Sequence, residues 1–368
     1  MHRRSVCAAV IAWWSLVFLS AMSSGAAGQP VLRTLGWHEL PGTALQAVCP
    51  PNGFGNSTYE FYDSCRNVTE AWNSAVMDTR RNRLVVWGGG HSDYLGNELY
   101  EVDLNSLKVN RITDPGLPVS ETGCPESIVN DTQPNSRHTY DGMAYIENVD
   151  RLWVFSGSLA RCGFFSRGTW TFDFARLTWE KHTPAGDLPT AGPGIVSAYD
   201  SNTGLVFLDD GNSFYSYEFK RNRYERIAGS NGIGYHSTAV IDPVRRKFVI
   251  VGAGRVHVYD ISQPKSFFGP SRRILRTRGG DPIVMSAYPG LAYDPATDRI
   301  VGWNGGDSVY SLDLETGIWT PITHQGGPGP ALRNGTFKRW GYSPASGVFV
   351  VVNEMMKNAF AFRLSPAR

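Results

Sequence analysis

Apolar and polar residues alternate along most of this chain in short segments, and the same order of segments recurs six times. Each repeat contains a run of β-branched and aromatic residues that ends in glycine or another small or polar residue: LVVWGGG, LWVFSGS, LVFLDDG, FVIVGAG, IVGWNGG and VFVVVNE. A tight polar turn precedes each run, and a segment that alternates with a period of two follows it, such as ELYEVDL or SVYSLDL. This periodicity is typical of half-buried strands. The pattern therefore predicts an all-β protein built from a repeated antiparallel unit.

A fourth strand ends every repeat except the last. KVNRIT, TWEKHT, RYERIA, RILRT and IWTPIT occupy this position in the first five repeats, but the sequence stops before the sixth repeat reaches it. The segment from Gly36 to Leu40 has the same character and has no strands before it. Because a ring of sheets must leave no open edge, we expect this N-terminal strand to pair with the C-terminal repeat.

The length and plan of the repeats predict a single β-propeller. A period of about 40 to 50 residues is that of propeller blades. In this respect the chain resembles the kelch and galactose-oxidase-like propellers over nearly its whole length after residue 27. The resemblance implies four-stranded blades around a central channel. We count six blades, with seven as the alternative if one degenerate repeat is hidden, and assign residues 28–368 to the propeller.

Composition agrees with one large β domain and argues against some partners. The chain has 40 glycines and 22 prolines for its turns, and 12% of its residues are aromatic, which suits tightly packed sheets. Its formal net charge is only +2, and no basic run stands out. Nucleic acid is therefore not an expected partner.

Residues 1–27 have the layout of a signal peptide. A basic start precedes an apolar stretch from Val6 to about Met22, and small residues continue to Gly28. This order is typical of an exported protein, with cleavage near Ala26 or Ala27. We expect the mature protein to be secreted or periplasmic, monomeric and free of the membrane after cleavage; a retained membrane anchor is the alternative.

Export makes four cysteines candidates for disulfides, because Cys7 lies within the predicted signal peptide. In an antiparallel blade, the loop between the second and third strands lies on the same face as the link to the next blade. Cys49 and Cys65 share one such link, while Cys124 and Cys162 lie in the next link and in a neighbouring loop. We predict the pairs Cys49–Cys65 and Cys124–Cys162; one bridge and two free thiols is the alternative.

Loop lengths indicate which face binds a ligand. The turns between first and second strands are minimal, as at 78–82 and 294–298. We expect this side, the turn face, to carry only short turns. The opposite side, here called the loop face, should carry every insertion, which in repeat proteins usually marks the binding face.

Three histidines stand on the predicted loop face, at His91, His138 and His236, and Arg137 and Tyr235 adjoin two of them. The first strand of a blade is the innermost, so side chains that precede it lie beside the channel and can converge although they are distant in sequence. We predict these five residues to be catalytic. Further predicted substrate-binding residues on the same rim or in neighbouring loops are Trp72, Asn73, Asp93, Tyr94, Tyr140, Tyr288, Asn304, Lys338, Arg339, Trp340 and Glu354.

These residue types, without a matched carboxylate pair, fit β-elimination from a uronate-containing polysaccharide. Removing a proton next to a carboxylate requires a group that neutralises the carboxylate, a base, and an acid for the leaving oxygen. Arg137 or Arg339 would neutralise, one of the three histidines would be the base, and Tyr235 or Tyr140 would be the acid. In fold and residue types the chain resembles secreted propeller polysaccharide lyases. We expect a polysaccharide or oligosaccharide partner and no cofactor.

Two alternatives stay open. The same face would equally serve a non-catalytic propeller that binds a glycan or a protein. In addition, the segment from Gly234 to Ser237 is similar to the Tyr-His copper ligands of galactose-oxidase-like radical oxidases, for which His138 or His91 would be a further ligand and copper the cofactor. That resemblance also implies a tyrosine cross-linked to a cysteine, and the cysteines here are assigned to disulfides.

Overall fold

A computed structural model describes residues 30–230, 232–263 and 272–366, which form a six-bladed β-propeller of four-stranded sheets. The first strands of neighbouring blades contact one another around the central axis. The predicted fold class and the count of six blades are confirmed. The predicted signal peptide, residues 1–27, lies outside the described residues.

The blades are numbered in chain order, and the strands of each blade run in order from the axis outwards. Blade 1 contains Ser74–Asp78, Arg83–Trp87, Tyr100–Asp103 and Lys108–Arg111. Blade 2 contains Met143–Ile146, Arg151–Phe155, Thr169–Asp173 and Thr178–His182. Blade 3 contains Val196–Asp200, Leu205–Asp209, Ser213–Glu218, Arg223–Gly229 and the short edge strand Ala185–Gly186. Blade 4 contains Ser237–Asp242, Lys247–Gly252, Arg255–Asp260 and Arg272–Ile274. Blade 5 contains Gly290–Asp294, Arg299–Trp303, Ser308–Asp313 and Ile318–Thr323. Blade 6 contains Trp340–Ser343, Val348–Val351, Phe360–Arg363 and Gly36–Glu39.

Shorter elements lie in the connections between these strands. Two-residue strands pair Ser127–Ile128 with Gln133–Pro134 and Arg137–His138 with Ser158–Leu159. The helical turns are Pro30–Arg33, Leu45–Val48, Phe54–Asn56, Phe61–Ser64, Asn67–Glu70, Glu147–Val149, Asp281–Val284 and Phe337–Arg339. No helix in the described ranges is both long and apolar enough to span a membrane.

The N-terminal strand closes the ring as predicted. Gly36–Glu39 pairs antiparallel with Phe360–Arg363, so that blade 6 has its fourth strand from the other end of the chain. Trp37 anchors this strand, because its ring lies 4.9 Å from Phe362 and 5.9 Å from Trp340. The edge that the C-terminal blade would otherwise expose is thereby paired.

Large aromatic side chains fill the spaces between neighbouring blades. Trp87 of blade 1 is fully buried and lies 4.9 Å from Trp179 of blade 2, and Trp153 and Trp303 are likewise fully buried. Each such side chain contributes on the order of 3 kcal/mol through burial. The tryptophans of the second strands therefore stabilise the stack of blades.

Both predicted disulfides are present. Cys49 pairs with Cys65 and Cys124 pairs with Cys162, with Cα–Cα distances of 6.3 and 5.5 Å. The second bridge ties the link after blade 1 to a loop of blade 2. Two disulfides are consistent with a protein that folds in an oxidising compartment, as expected for export.

The expectation that the turn face carries only minimal turns is wrong in blade 4. There the third strand ends at Asp260 and the fourth begins at Arg272, so eleven residues separate the two strands, too many for a minimal turn. The turns between first and second strands are short in every blade, as between Asp78 and Arg83 or between Asp294 and Arg299.

Arginines on the turn face tie neighbouring blades together. The Arg81 guanidinium of blade 1 donates to both carboxylate oxygens of Asp150 in blade 2, at 2.7 and 2.6 Å, and also to Asp78. Arg245 of blade 4 binds Asp298 of blade 5 with the same two distances. The hydrogen bonds from Arg81 lower the pKa of Asp150 to about 2.

We expect Arg81→Met to make unfolding less sensitive to acid. Because the pKa of Asp150 is lower in the folded state than its ordinary value near 3.9, the ion pair stabilises the fold above about pH 4, and this stabilisation disappears as the pH falls towards about 2. As the pH falls from about 4 to about 2, the free energy of unfolding measured with denaturant should decrease less in the variant than in wild type, by up to about 2 kcal/mol. Arg66→Met, which removes an exposed pair with Glu70, is the control. An equal decrease in the free energy of unfolding in Arg81→Met and in wild type would contradict the prediction.

Candidate functional site

One position recurs in every blade just before the innermost strand. In all six blades, the last residue of the first strand pairs with the residue five positions later, so the blades align without gaps at this point. Six residues before that last residue, blades 1 to 6 have Trp72, Tyr140, Gly194, His236, Tyr288 and Phe337. Five of these six residues carry a ring. We call this set the rim column.

Rings of the rim column and of adjacent residues form one continuous cluster where the loop face meets the channel. Across blades, the distances between ring centroids are 5.2 Å for Trp72–His138, 6.2 Å for Tyr140–Tyr235, 4.9 Å for His236–Tyr288 and 4.5 Å for Tyr288–Phe337. His138 also lies 6.0 Å from His91 and 6.0 Å from Tyr140, and Tyr235 lies 4.2 Å from His236. We call these eight residues the rim cluster: Trp72, His91, His138, Tyr140, Tyr235, His236, Tyr288 and Phe337.

Four residues of the rim column have a left-handed backbone. The φ angles of Tyr140, His236, Tyr288 and Phe337 are +47°, +82°, +51° and +50°, a region that bulky residues rarely adopt. Backbone hydrogen bonds between blades hold them: Tyr140 N–H donates to the Trp72 carbonyl at 2.8 Å, Tyr288 N–H to His236 at 3.1 Å, and Phe337 N–H to Tyr288 at 3.2 Å. Strain of this kind costs about 1 to 3 kcal/mol per residue and concentrates at functional sites.

A carboxylate orients the histidine at the centre of the cluster. His138 is buried, and its Nε2 lies 2.6 Å from the Oδ2 of Asp93, which is partly exposed. When Nε2–H donates to this carboxylate, the lone pair of the imidazole is on Nδ1. His91 is exposed beside the pair. Asp93 and two histidines therefore form one polar side of the cluster.

The opposite side of the cluster combines an imidazole with phenols. Burial lowers the pKa of His236, although its side chain remains exposed on one side, so its imidazole is neutral near pH 7. Burial and the neighbouring Tyr235 raise the pKa of Tyr140 and of Tyr288, so both phenols keep their protons. The Tyr288 hydroxyl is buried beside the Tyr235 phenol, which interacts with it. This side can therefore both accept and donate a proton.

Two predicted cationic residues do not reach the cluster. Arg137 is fully buried and binds Glu126, at 3.3 Å, and the Asn135 carbonyl. Arg339 is also fully buried, and its guanidinium donates to main-chain carbonyls, including those of Val352 and Asn353. Both guanidinium groups face the protein interior and stabilise loops rather than a ligand.

Lys338, a third predicted cation, closes the channel beneath the rim cluster. Its Nζ lies 2.9 Å from the Oδ1 of Asp141, and the Oδ2 of Asp141 accepts the backbone N–H groups of Ser197 and Ala239 at 3.2 and 2.9 Å. These contacts join blades 2, 3, 4 and 6 across the axis. Burial raises the pKa of Asp141 to about 6, and the Lys338 ammonium opposes this rise. Below the pair, a cavity of about 400 Å³ is lined by the first strands and extends to the turn face.

The remaining predicted pocket residues have partners outside the cluster. Asn73 accepts the Thr139 N–H, the Tyr94 hydroxyl is bound to Glu98, Asn304 donates to the Pro282 carbonyl, Glu354 pairs with Lys357, and Trp340 is buried against Phe349. In the ranges 30–230, 232–263 and 272–366, no group of three or more His, Cys, Asp or Glu side chains is arranged to hold a metal ion.

One residue of the cluster and two residues near it lie outside the sequence prediction. Phe337 occupies the rim column, and counting back from the first turn of each blade would have found it. Phe165 is 37% exposed with its ring 6.5 Å from Tyr140. Arg161 is exposed, and its backbone N–H donates to the His91 carbonyl. The last two belong to a loop fixed by the Cys124–Cys162 bridge, so no local pattern indicates their position.

No protein family matches this chain, and no curated protein shows significant sequence similarity to it. The chemistry of the rim cluster is therefore the basis on which a function can be assigned.

Proposed function

We propose that this protein is an exported, glycan-acting propeller that cleaves a uronate-containing polysaccharide by β-elimination at the rim cluster. The observation that carries the proposal is the convergence of exposed imidazoles, an Asp-oriented imidazole and protonated phenols within one cluster of rings. Elimination from a uronate requires a base and an acid in one site, and these groups supply both near neutral pH.

His236 is the proposed base and Tyr235 the proposed acid. The neutral imidazole of His236 takes the proton next to the substrate carboxylate, the electrons of that C–H bond form the C=C bond, and the C–O bond to the leaving sugar breaks. The phenol of Tyr235, whose ring centroid lies 4.2 Å from that of His236, protonates the leaving oxygen. A proton then returns from the imidazolium to the phenolate. Trp72 and the His138–Asp93 pair bind neighbouring sugar faces and hydroxyls.

Because Arg137 and Arg339 are buried, neither guanidinium can bind a substrate carboxylate. We assign to Arg161 the binding of a uronate carboxylate on the His91 side of the cluster, because its side chain is exposed and its main chain is hydrogen-bonded to His91. A guanidinium suits this role because it binds a carboxylate through two parallel hydrogen bonds.

We expect the protein to release unsaturated products from at least one uronate-rich polymer. The test is incubation with alginate, polygalacturonate and hyaluronate while the ultraviolet absorbance of the C=C bond conjugated to the carboxylate is followed. Dextran, which has no uronate, is the control polymer and should give no signal. An absence of signal with every uronate polymer would overturn the elimination.

The burial of Arg137 and Arg339 favours a second candidate function, a non-catalytic glycan-binding propeller. In affinity electrophoresis, the migration of such a protein would be retarded by a uronate polymer in the gel, and no product would form. The copper radical oxidase is less well supported, because all four cysteines of the described residues are in disulfides and none is free for a cross-link to tyrosine.

A further inference from the structure

Residues 160–167, which we call the disulfide loop, carry two exposed aromatic rings beside the rim cluster. Among the large hydrophobic side chains of the described ranges, Phe164 is the most exposed, at 73%, and the neighbouring Phe165 is also exposed. The Phe165 ring lies 6.5 Å from that of Tyr140, so this apolar patch is continuous with the cluster. Single exposed apolar residues are common on protein surfaces, but an apolar patch that adjoins polar groups is typical of a ligand-binding surface.

The backbone of Phe164 is fixed, although its side chain is exposed. Its carbonyl accepts the Leu159 N–H at 2.9 Å, and its own N–H donates to the sulfur of Cys162 at 3.3 Å. The carbonyl of the preceding residue, Gly163, accepts the Ser158 hydroxyl at 3.0 Å. Because the loop is already ordered, a ligand that packs on the Phe164 ring loses little affinity to the ordering of the protein.

Arg137, which the sequence predicts to be catalytic, anchors the far end of the disulfide loop. Its buried guanidinium donates to the Ser166 hydroxyl and to Glu126, and this hydroxyl also donates to Glu126, at 2.7 Å. The network holds Ser166 in place directly after the two phenylalanines. Arg137 therefore acts on the site through the loop rather than by contact with a ligand.

The disulfide loop packs directly against His91 of the rim cluster. Gly163 has a φ of +73°, and a Cβ atom built on it would lie 2.7 Å from Cδ2 and 2.8 Å from Nε2 of the His91 imidazole. The left-handed backbone and the close approach both require glycine at this position. The backbone N–H of Arg161 donates to the His91 carbonyl. The loop and the rim cluster therefore form one surface.

The charge of the disulfide loop favours an anionic ligand. Arg161 and Arg167 flank the two phenylalanines in sequence, their side chains are exposed, and neither forms an ion pair within the described residues. Residues 160–167 include no Asp or Glu. A uronate residue presents an apolar C–H face, which packs on an aromatic ring, and a carboxylate, which a guanidinium binds. The loop offers partners for both parts of such a sugar.

We propose that the disulfide loop is a glycan subsite, in which a uronate residue next to the one that reacts stacks on the ring of Phe164 while Arg161 binds its carboxylate. The inference deepens the function proposed above and rests on it. An anionic membrane surface also attracts aromatic rings and cations. The continuity of the loop with the rim cluster favours the sugar as its occupant.

The test replaces Phe164 with Ala, Leu and Trp and measures both binding and turnover of a uronate polymer, by affinity electrophoresis and by product absorbance. We expect Phe164→Ala and Phe164→Leu to raise the dissociation constant and KM about five- to tenfold, because both remove the aromatic face. Their kcat should stay within about twofold of wild type, since a sugar that does not react is bound equally before and during the reaction. Phe164→Trp, which retains an aromatic face, should stay within about twofold of wild type in every measurement.

The matched control is Val244→Ala, which removes a 65% exposed apolar side chain from the turn between the first and second strands of blade 4. This variant should match wild type in binding and in turnover. Thermal unfolding verifies that all four variants retain the propeller.

Wild-type binding and KM in Phe164→Ala or in Phe164→Leu would overturn the subsite and leave the proposed elimination standing. If the protein binds a uronate polymer without forming product, the elimination fails, and the dissociation constants of the variants alone decide the subsite. If the wild type neither binds nor cleaves any uronate polymer, the proposed function and the subsite both fail. Sedimentation with phosphatidylglycerol vesicles that is lost in Phe164→Ala, with polymer binding unchanged, would assign the loop to a membrane surface instead.

Discussion

His236→Ala is expected to lower the turnover of the cleaved polysaccharide by about 10²- to 10⁴-fold while the protein remains folded, because the substitution removes the proposed base. His236 is exposed and contributes little to the core, so the loss should appear in kcat rather than in stability. Tyr235→Phe, which keeps the ring and removes the acidic proton, should give a loss of similar size. Initial rates of product formation, followed in the ultraviolet, measure both effects.

The matched control is His38→Ala, since His38 lies on the outermost strand of blade 6 and is hydrogen-bonded to the Thr34 carbonyl at 2.8 Å. This variant should retain wild-type rates. Because burial lowers the pKa of His236, the wild-type rate should rise with pH along a limb whose midpoint lies below the ordinary histidine value of about 6.5. If His236→Ala keeps full turnover and His138→Ala abolishes it, the assignment of the base is wrong.

Asp141→Ala is expected to destabilise the protein by about 3 to 5 kcal/mol, the cost of removing one partner from a buried ion pair. The substitution leaves the Lys338 ammonium on the axis with no anion beside it. It also leaves the backbone N–H groups of Ser197 and Ala239 without the carboxylate that accepts their hydrogen bonds. Blades 2, 3, 4 and 6 lose their common contact. Denaturant unfolding, followed by tryptophan fluorescence, measures the change.

Two further variants separate the charge from the hydrogen bonds. Asp141→Asn retains an oxygen that can accept a backbone N–H and should lose less stability than Asp141→Ala, which also keeps the test possible if the alanine variant does not fold. Glu354→Gln removes a pair with Lys357, of which the lysine is largely exposed, and should change the free energy of unfolding by less than about 1 kcal/mol. If the free energy of unfolding decreases no more in Asp141→Ala and Asp141→Asn than in Glu354→Gln, the pair of Asp141 and Lys338 does not stabilise the propeller.

Some features of the site could be predicted from sequence and others could not. The inner position of His138, Tyr140, Tyr235 and His236 follows from the order of strands in a blade. The structure brings these rings together with His91, which lies between the second and third strands of blade 1. The direction of a side chain before a strand depends instead on the local backbone. Arg137, within a two-residue strand, and Arg339, at the end of a helical turn, both turn inwards. Period-two alternation does not extend to such residues, so their burial could not be predicted.

The sequence by itself predicted the six blades, the closing strand at Gly36–Glu39 and the two disulfides, and the structure removed the alternatives of seven blades and of a single bridge. Period-two alternation is local, and the need to pair every sheet edge leaves one arrangement for the ring. Only the tertiary structure decided which polar groups face the channel mouth, because left-handed residues such as Tyr140 and Tyr288 and the disulfide-fixed loop with Arg161 depend on contacts between blades. The rim column and its glycine at Gly194 lie between these two cases. Their residues are visible in the sequence. They can be recognised as one set of equivalent positions only when strand pairing fixes the register of all six blades.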